Sequence, residues 1–194
     1  MCSIYELSST PSGLIKDLGF KNISENFTLG RVRPNDAALT IINEKAIIIN
    51  WGLTVTWNKK LLINARYETL EKTRTFYPLL KNRCLIPATA YFEWRHIKHK
   101  KLKNRIEILN TNIMTFAGLY SGESFVIITC PSVDNISHIH QRMPLIVAPH
   151  ERMNWLEASR SPVEIFESLN STFCANLIYS EEKHIVDQFE LFDS

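Results

Sequence analysis

Cys2 has the most unusual potential chemistry of any residue in this chain. In model peptides an α-amine has a pKa of about 7.7–8 and a thiol one of about 8.5, so both groups are reactive near neutral pH. If Met1 is removed, Cys2 carries both on one residue. Such an aminothiol suits an aldehyde, because the amine forms a Schiff base and the thiol then closes a thiazolidine ring. A cysteine at this position is also a common accident, so the interpretation depends on supporting residues.

The first supporting group is the segment 64–69, which follows an apolar run at a predicted strand-to-helix junction. One interpretation is helix capping, because asparagine is a good N-cap residue, and Glu68 would then be exposed on the helix. The other is that Asn64 holds a sugar or phosphate oxygen while Arg66 makes a bidentate phosphate contact. The segment alone leaves both open.

Glu93 lies between two aromatic residues, Phe92 and Trp94, at the end of an apolar run. A carboxylate flanked by aromatic rings is partly desolvated, which raises its pKa and suits it to proton transfer near neutrality. Strand alternation offers the opposite interpretation, in which Glu93 faces solvent while both rings face the core. These two interpretations are equally compatible with the segment.

The segment 138–144 combines His138 and His140 with Arg142. Histidine is the natural proton shuttle at neutral pH, and an arginine beside it suits a phosphodiester. The alternatives are a metal site and two surface histidines on a short helix. No carboxylate or cysteine lies at an obvious ligand spacing, so we predict no metal.

A basic tract directly follows Glu93 and Trp94, and its cations are Arg95, Lys98, Lys100, Lys101, Lys103 and Arg105. Such a tract is typical of a solvated hairpin loop, but next to a catalytic Glu93 it could hold a phosphate backbone. Trp51, Trp57 and Trp94 are candidates to stack on bases, although buried tryptophans are equally common.

The hydrophobic pattern predicts many strands interrupted by short helices. The predicted strands are 2–7, 39–42, 46–49, 84–94, 106–109, 113–119, 125–130 and 144–147. The predicted helices are 11–18, capped by Thr10 and ended by Gly19, and 67–75, 151–158 and 162–169. This order lacks regular strand–helix alternation, so we predict an α+β fold: a single compact domain over residues 1–194, with a curved or barrel-like antiparallel sheet core and short flanking helices.

Composition is that of an ordinary globular protein, with 45% hydrophobic and 22% charged residues and a net charge of +2. The longest aliphatic run, 46–49, is too short for a membrane span, and no signal-peptide pattern is present at the N-terminus. We therefore expect a cytoplasmic protein with no membrane partner. Its four cysteines should be reduced, with Cys84 and Cys130 in the core.

Taken together, these segments resemble the SRAP family, the SOS response-associated peptidase domain, along most of the chain. The matching blocks are Met1-Cys2, Trp51-Gly52-Leu53 through Trp57, Asn64-Ala65-Arg66 with Glu68-Thr69, Arg83-Cys84-Leu85-Ile86-Pro87, Phe92-Glu93-Trp94, Phe116-Ala117-Gly118-Leu119 and His140-Gln141-Arg142-Met143-Pro144. Each block is weak alone, whereas all of them in order are highly specific.

The resemblance implies a domain that binds single-stranded DNA in a basic cleft and captures abasic sites covalently through Cys2. It makes Asn64, Glu93 and His140 the polar partners of Cys2. It places Trp51, Arg66 and Arg142 against DNA, and we add Trp94 as a stacking residue. We expect a monomer that needs no metal or organic cofactor and is nucleoid-associated when bound to DNA.

The chain departs from the family pattern at several positions. The family commonly has glycine and arginine after the cysteine, where this chain has Ser3 and Ile4. One phosphate contact is therefore missing, and Arg31 and Arg33 are the candidates to replace it. Val55 also stands where the family usually has proline.

Two other classes of function remain open at this point. A thiol peptidase would use Cys2 as nucleophile and His140 as base on peptide substrates. A non-catalytic module would bind single-stranded DNA reversibly, with Cys2 incidental.

Overall fold

A computed structural model describes residues 2–19, 27, 29–158, 161 and 174–182. The α-helices are α1 Pro11–Leu18, α2 Asp134–Ser137 and α3 Arg152–Leu156. The strands are β1 Tyr5–Leu7, β2 Gly30–Val32, β3 Ala37–Ile42, β4 Lys45–Trp51, β5 Leu53–Val55, β6 Asn58–Leu62, β7 Asn64–Arg66, β8 Arg83–Ala88, β9 Ala90–Ile97, β10 Lys100–Ile108, β11 Met114–Ser121, β12 Ser124–Pro131, β13 Arg142–Pro144 and β14 Leu177–Glu181. The predicted helix 162–169 lies outside the described residues.

Helix α1 has both of the predicted caps. The Thr10 hydroxyl accepts a hydrogen bond from the Gly13 amide at 3.2 Å, and Pro11 occupies the first turn, where no amide donor is required. Gly19 ends the helix at φ 76°, a left-handed conformation that glycine adopts without strain. No helix in the described ranges is long and apolar enough to cross a membrane.

The first sheet has five strands in the order β14-β10-β9-β1-β2, and its pairings are antiparallel. Strand β1, which follows Cys2, lies between β9 and β2. The hairpin of β9 and β10 contains the basic tract. Because β9 also carries Glu93, this sheet places the N-terminal segment beside the predicted acid–base residue.

The second sheet has seven strands, and β11, β8, β3, β4 and β12 close into a ring through the β11–β12 hairpin. The predicted α+β class with a barrel-like core is therefore confirmed. The sheet is not wholly antiparallel, however, because β12 pairs in parallel with both β4 and β7. The second of these pairings places β7, which begins at Asn64, beside β12.

The core lies between the two sheets and is rich in aromatic residues. Tyr5 of β1 packs against Trp51 and Phe116, with ring centroids 5.3 and 5.9 Å away. Trp51 also stacks on Phe125 at 6.4 Å and donates its indole N–H to the Ile63 carbonyl. These contacts fix β1, which follows Cys2, against the ring of strands in the second sheet.

The predicted helix 67–75 is wrong in type and extent. The chain instead forms a 3₁₀ turn at Tyr67–Lys72 and another at Tyr77–Leu79. Thr73 ends the first turn with an extended backbone, at φ −93° and ψ 120°, so a continuous α-helix does not form here. Pro78 lies inside the second turn.

Candidate active site

Cys2 lies just before β1 in the chain and is completely buried. Its thiol contacts the Ile4 carbonyl oxygen at 3.6 Å. Burial, together with the negative charge of Glu93, raises the pKa of the thiol far above its ordinary value. The thiol is therefore protonated at neutral pH, and it needs a base before it can act as a nucleophile.

Asn64 opens β7 and holds the backbone of Cys2. Its side-chain N–H donates to the Cys2 carbonyl oxygen at 2.7 Å. Its buried Oδ1 atom has no hydrogen-bond partner among the described residues. The helix-capping interpretation of Asn64 is wrong, because Arg66 occupies the N-cap of the following turn. Asn64 thus presents a buried acceptor beside Cys2.

Glu93 is 3% exposed, although its strand, β9, continues into the basic tract of the β9–β10 hairpin. The interpretation that placed Glu93 in solvent is therefore wrong. Burial raises the pKa of the Glu93 carboxyl above its ordinary value. A glutamic acid in this state retains its proton to higher pH than an exposed one, as a general acid near neutrality requires.

His140 follows α2 and lies close to Glu93. Its Nε2 atom is 3.9 Å from the Glu93 Oε2 atom, which places the two groups in one cluster. His138, in contrast, packs its ring against Tyr179 at 5.0 Å. The two histidines therefore have separate environments, and the described residues contain no group of three or more side chains suited to binding a metal ion.

The backbone of Arg142 contacts His140 through the Nδ1 atom of the ring. The Arg142 amide nitrogen lies 3.0 Å from Nδ1 and donates to it in the tautomer that has its proton on Nε2. The Arg142 carbonyl oxygen lies 2.9 Å from the same Nδ1 atom and accepts from it in the tautomer that has its proton there. In both tautomers Nε2 lies on the side of Glu93.

The Arg142 side chain is held by a carboxylate and by strand β12. Its guanidinium donates two hydrogen bonds to Glu68, at 2.8 and 2.9 Å, and one to the Thr129 carbonyl at 2.7 Å. Although partial burial works in the other direction, the hydrogen bonds from Arg142 lower the pKa of Glu68. Glu68 is exposed on its 3₁₀ turn, as the capping interpretation expected, and it also orients Arg142.

The predicted DNA-contacting residues differ sharply in exposure. Trp51 is 0% exposed, so the prediction that its ring contacts DNA is contradicted, because the core packing leaves it no free face. Arg66 is exposed and Trp94 half-buried. Trp57, at the turn between β5 and β6, is 67% exposed and remains a candidate for stacking on bases.

A model of the family described as SOS response associated peptidase (SRAP) matches residues 1–182. The chain belongs to this family. Similar curated proteins include the abasic site processing protein YoqW of Bacillus subtilis, 30% identical over 91% of this chain and 89% of the relative. The abasic site processing protein YedK of Escherichia coli is 31% identical over 60% of this chain and 57% of the relative.

Solved structures share the fold of this chain. A crystal structure of a protein from Bacteroides thetaiotaomicron has a TM-score of 0.82 at 24% identity and covers 94% of this chain and 93% of that one. A second, from Bordetella bronchiseptica, has a TM-score of 0.77 at 21% identity and covers 94% of this chain and 100% of that one. At these identities the likeness concerns the fold alone.

Sequence reasoning missed one group of charged residues on the first sheet. Glu182 accepts from Arg31 at 2.6 Å and from Lys103 at 2.8 Å. Glu181 lies 3.5 Å from Arg95 of the basic tract. The available signal was charge complementarity, because two adjacent acidic residues follow an apolar stretch near the end of a chain that contains one strongly basic tract.

Proposed function

We propose that this protein captures abasic sites in single-stranded DNA covalently, through the aminothiol that Cys2 presents once Met1 is removed. The observation that carries the proposal is a single cluster in which Asn64 binds Cys2, Glu93 acts electrostatically on the Cys2 thiol, and His140 lies beside Glu93. The names of curated SRAP relatives, abasic site processing proteins, support the choice of substrate.

The two nucleophiles of Cys2 act in a defined order. The buried thiol has a strongly raised pKa and is a poor nucleophile at the start, whereas an α-amine is substantially neutral near pH 7.5. The amine therefore attacks first, at the C1′ aldehyde of the ring-opened sugar. The new carbon–nitrogen bond gives a carbinolamine.

Glu93 carries protons in the two steps that follow. In its protonated form it donates to the carbinolamine hydroxyl, which leaves as water while the carbon–nitrogen double bond forms. The resulting carboxylate then accepts the thiol proton as sulfur adds to the imine carbon, and this closes the thiazolidine. One aldehyde and one aminothiol give one ring and one water, and Glu93 returns to its starting protonation state.

His140 and Asn64 act on the sugar. His140, held through Nδ1 by the Arg142 backbone, exchanges a proton through Nε2 with a sugar hydroxyl or with the ring oxygen during opening. The buried Oδ1 atom of Asn64 accepts from the same sugar or from the Cys2 amine. Both side chains are held in place before the substrate arrives, which favours a productive geometry.

The DNA strand is bound by residues at the rim of this cluster. Arg66 and Arg142 are the proposed phosphate contacts, and Trp94 is the proposed base-stacking residue. A base-paired lesion would have to leave the duplex stack to reach a buried Cys2, so single-stranded DNA is the expected substrate.

The same cluster is proposed to assist the removal of Met1, which gives the domain an autopeptidase activity. A thiol peptidase acting on external peptides is less well supported. That reaction needs a thiolate at the start, and the raised pKa of Cys2 opposes thiolate formation.

The deciding experiment is intact mass spectrometry after incubation with a single-stranded oligonucleotide that contains one abasic site. We expect an adduct that survives denaturation without added reductant, with the mass of the protein lacking Met1 plus the oligonucleotide minus one water. Cys2→Ser should abolish this adduct, whereas Cys174→Ser, which removes another buried cysteine, should retain it.

The free protein in the same spectrum reports whether Met1 has been removed. Absence of an adduct from a chain that begins at Cys2 would contradict the proposal. An undiminished adduct in Cys2→Ser would contradict it as well, since another residue would then be the nucleophile.

A further inference from the structure

A second cluster of charges lies on one face of the five-stranded sheet, formed by Arg31, Phe92, Trp94, Lys103 and Glu182; we call it the charged face. Each carboxylate oxygen of Glu182 is held by a different cation. Oε1 accepts from the Arg31 guanidinium at 2.6 Å, and Oε2 accepts from the Lys103 ammonium at 2.8 Å. Two cations therefore bind one carboxylate.

Aromatic rings hold these cations in place. The Lys103 ammonium lies 4.2 Å from the centre of the Phe92 ring, and the Arg31 guanidinium lies 5.1 Å from the same centre. Lys103 also lies 5.9 Å from the Trp94 ring centre. Such contacts attract a cation to the ring face, so both cations remain pre-positioned if the carboxylate leaves.

The geometry matches that of a phosphodiester site. A phosphodiester presents two non-bridging oxygens and one negative charge, as a carboxylate does, and arginine with lysine is a common pair for binding it. Although partial burial works in the other direction, the Lys103 hydrogen bond and the Arg31 charge lower the pKa of Glu182, which is therefore an anion at neutral pH. Glu182 directly follows β14, and its side chain is 27% exposed. An anion from solution can therefore compete with Glu182 for the two cations.

The charged face is connected to the candidate active site through two strands. Phe92 precedes Glu93 in β9, and its amide donates to the Ile4 carbonyl at 3.0 Å. Arg31 in β2 lies opposite Glu6 of β1, the strand that Cys2 leads into. Side chains alternate along β9, so Phe92 and Glu93 point to opposite faces of one sheet.

We propose that Arg31 and Lys103 bind one phosphodiester of the DNA strand that flanks the lesion, and that Glu182 occupies this site in the free protein as an internal competitor. The proposal rests on the proposed function for the identity of the nucleic acid. It assigns to Arg31 the phosphate contact that Ile4, in place of the usual arginine, cannot make. DNA binding then requires a phosphate to displace Glu182 from Arg31 and Lys103. This requirement lowers the affinity for any strand whose phosphate does not contact both cations.

The test is reversible binding of an undamaged, fluorescein-labelled single-stranded oligonucleotide, measured by anisotropy at several salt concentrations. Glu182→Gln should tighten binding about three- to tenfold at low salt, because the competing charge is removed. The matched control is Glu181→Gln, which removes an equal charge from the adjacent residue, whose carboxylate lies 3.5 Å from Arg95; it should change the affinity less than twofold.

The second arm of the test removes the two cations of the proposed site. Arg31→Ala combined with Lys103→Ala should weaken binding and reduce the slope of log K against log salt by about 0.7, the value for one phosphate on a single strand. An unchanged or weaker affinity in Glu182→Gln would overturn the proposal. Equal tightening by Glu181→Gln would also overturn it, because the effect would then come from net charge alone.

This experiment is separate from the test of capture chemistry, because the oligonucleotide has no abasic site. If wild-type protein forms no adduct but Glu182→Gln still tightens binding, the proposed function fails and the phosphodiester site stands. If the adduct forms but neither arm changes the affinity, the phosphodiester site fails and the proposed function stands.

Discussion

Two glutamates, one in the first sheet and one directly after its edge strand β14, have opposite electrostatic environments. Glu93, in β9, is 3% exposed, and burial raises the pKa of its carboxyl. Glu182 is 27% exposed, and its pKa is lowered by the hydrogen bond from Lys103 and the charge of Arg31, against the opposing effect of partial burial. The comparison shows how one side-chain type serves as a proton carrier where water is excluded and as a fixed anion where cations surround it.

Strand alternation produces this division. Neighbouring residues of β9 point to opposite faces, so Phe92 supports the cations of the charged face while Glu93 lies with His140 and Cys2. Only the desolvated carboxyl is suited to exchange a proton near neutrality. The charged face is suited to bind an anion without reacting with it.

The strongest test of this comparison is the rate of adduct formation. Glu93→Gln should slow capture about 10²–10⁴-fold, the usual contribution of a positioned acid–base residue. The amide keeps the shape of the side chain but cannot donate and then accept the same proton. The measurement is a single-turnover time course with saturating abasic oligonucleotide, quantified on denaturing gels.

Glu181→Gln is the control for this rate, because the Glu181 side chain belongs to the same sheet but is 46% exposed, with its carboxylate 3.5 Å from Arg95. It should capture at the wild-type rate. A wild-type rate in Glu93→Gln would remove Glu93 from the mechanism. A loss of rate in both variants would show that overall charge, and not a buried acid, controls the reaction.

The features that sequence could predict are those set by neighbouring residues. The caps of α1, the hairpin of β3 and β4, and the strand character of β8 and β9 all follow from local propensity and alternation. The fold class also followed, since many short strands without regular helix alternation exclude a doubly wound sheet. The burial of Glu93 was left undecided, because alternation gives two faces and does not say which one is the core.

The features that sequence could not predict depend on long-range register. Asn64 reaches Cys2 across 62 positions because β7 joins β12 in parallel, and nothing local to Asn64 encodes that pairing. Lys103 meets Glu182 across 79 positions through the register of β10 and β14. Trp51 was predicted to contact DNA, but it packs against rings from two other strands, Tyr5 of β1 and Phe125 of β12.

Ionisation of Glu93 makes the stability of the protein depend on pH. The folded-state pKa of Glu93 is raised above the unfolded value, so its favourable contribution is complete below the unfolded pKa of about 4.3 and is lost as pH rises through the folded pKa. Glu93→Gln should therefore be more stable than wild type at pH 7, by about 1–3 kcal/mol, the range for relieving a poorly solvated buried group. The difference should shrink toward zero at pH 4.

Glu182→Gln should show the opposite sign. Its folded-state pKa is lowered, so the stabilisation is present above the unfolded pKa and is lost as pH falls through the folded pKa. Urea unfolding of both variants and wild type from pH 4 to pH 8 measures the two differences. If both variants moved stability in the same direction at pH 7, the contrast between the two faces would be wrong.

The smallest expected effect belongs to the pair of Glu68 and Arg142, which combines a bidentate geometry with partial exposure. The Glu68 side chain is 35% exposed, so solvent screens the pair, and Arg142 keeps its bond to the Thr129 carbonyl after Glu68 is changed. A double-mutant cycle of Glu68→Gln and Arg142→Gln, measured by urea unfolding at pH 7, should give a coupling of about 0.2–1 kcal/mol. The coupling should decrease in 1 M salt. A coupling of several kcal/mol that persists in 1 M salt would contradict this prediction. It would show that the Glu68–Arg142 pair is shielded from solvent, as Glu93 is, and Arg142 would then belong to the buried cluster.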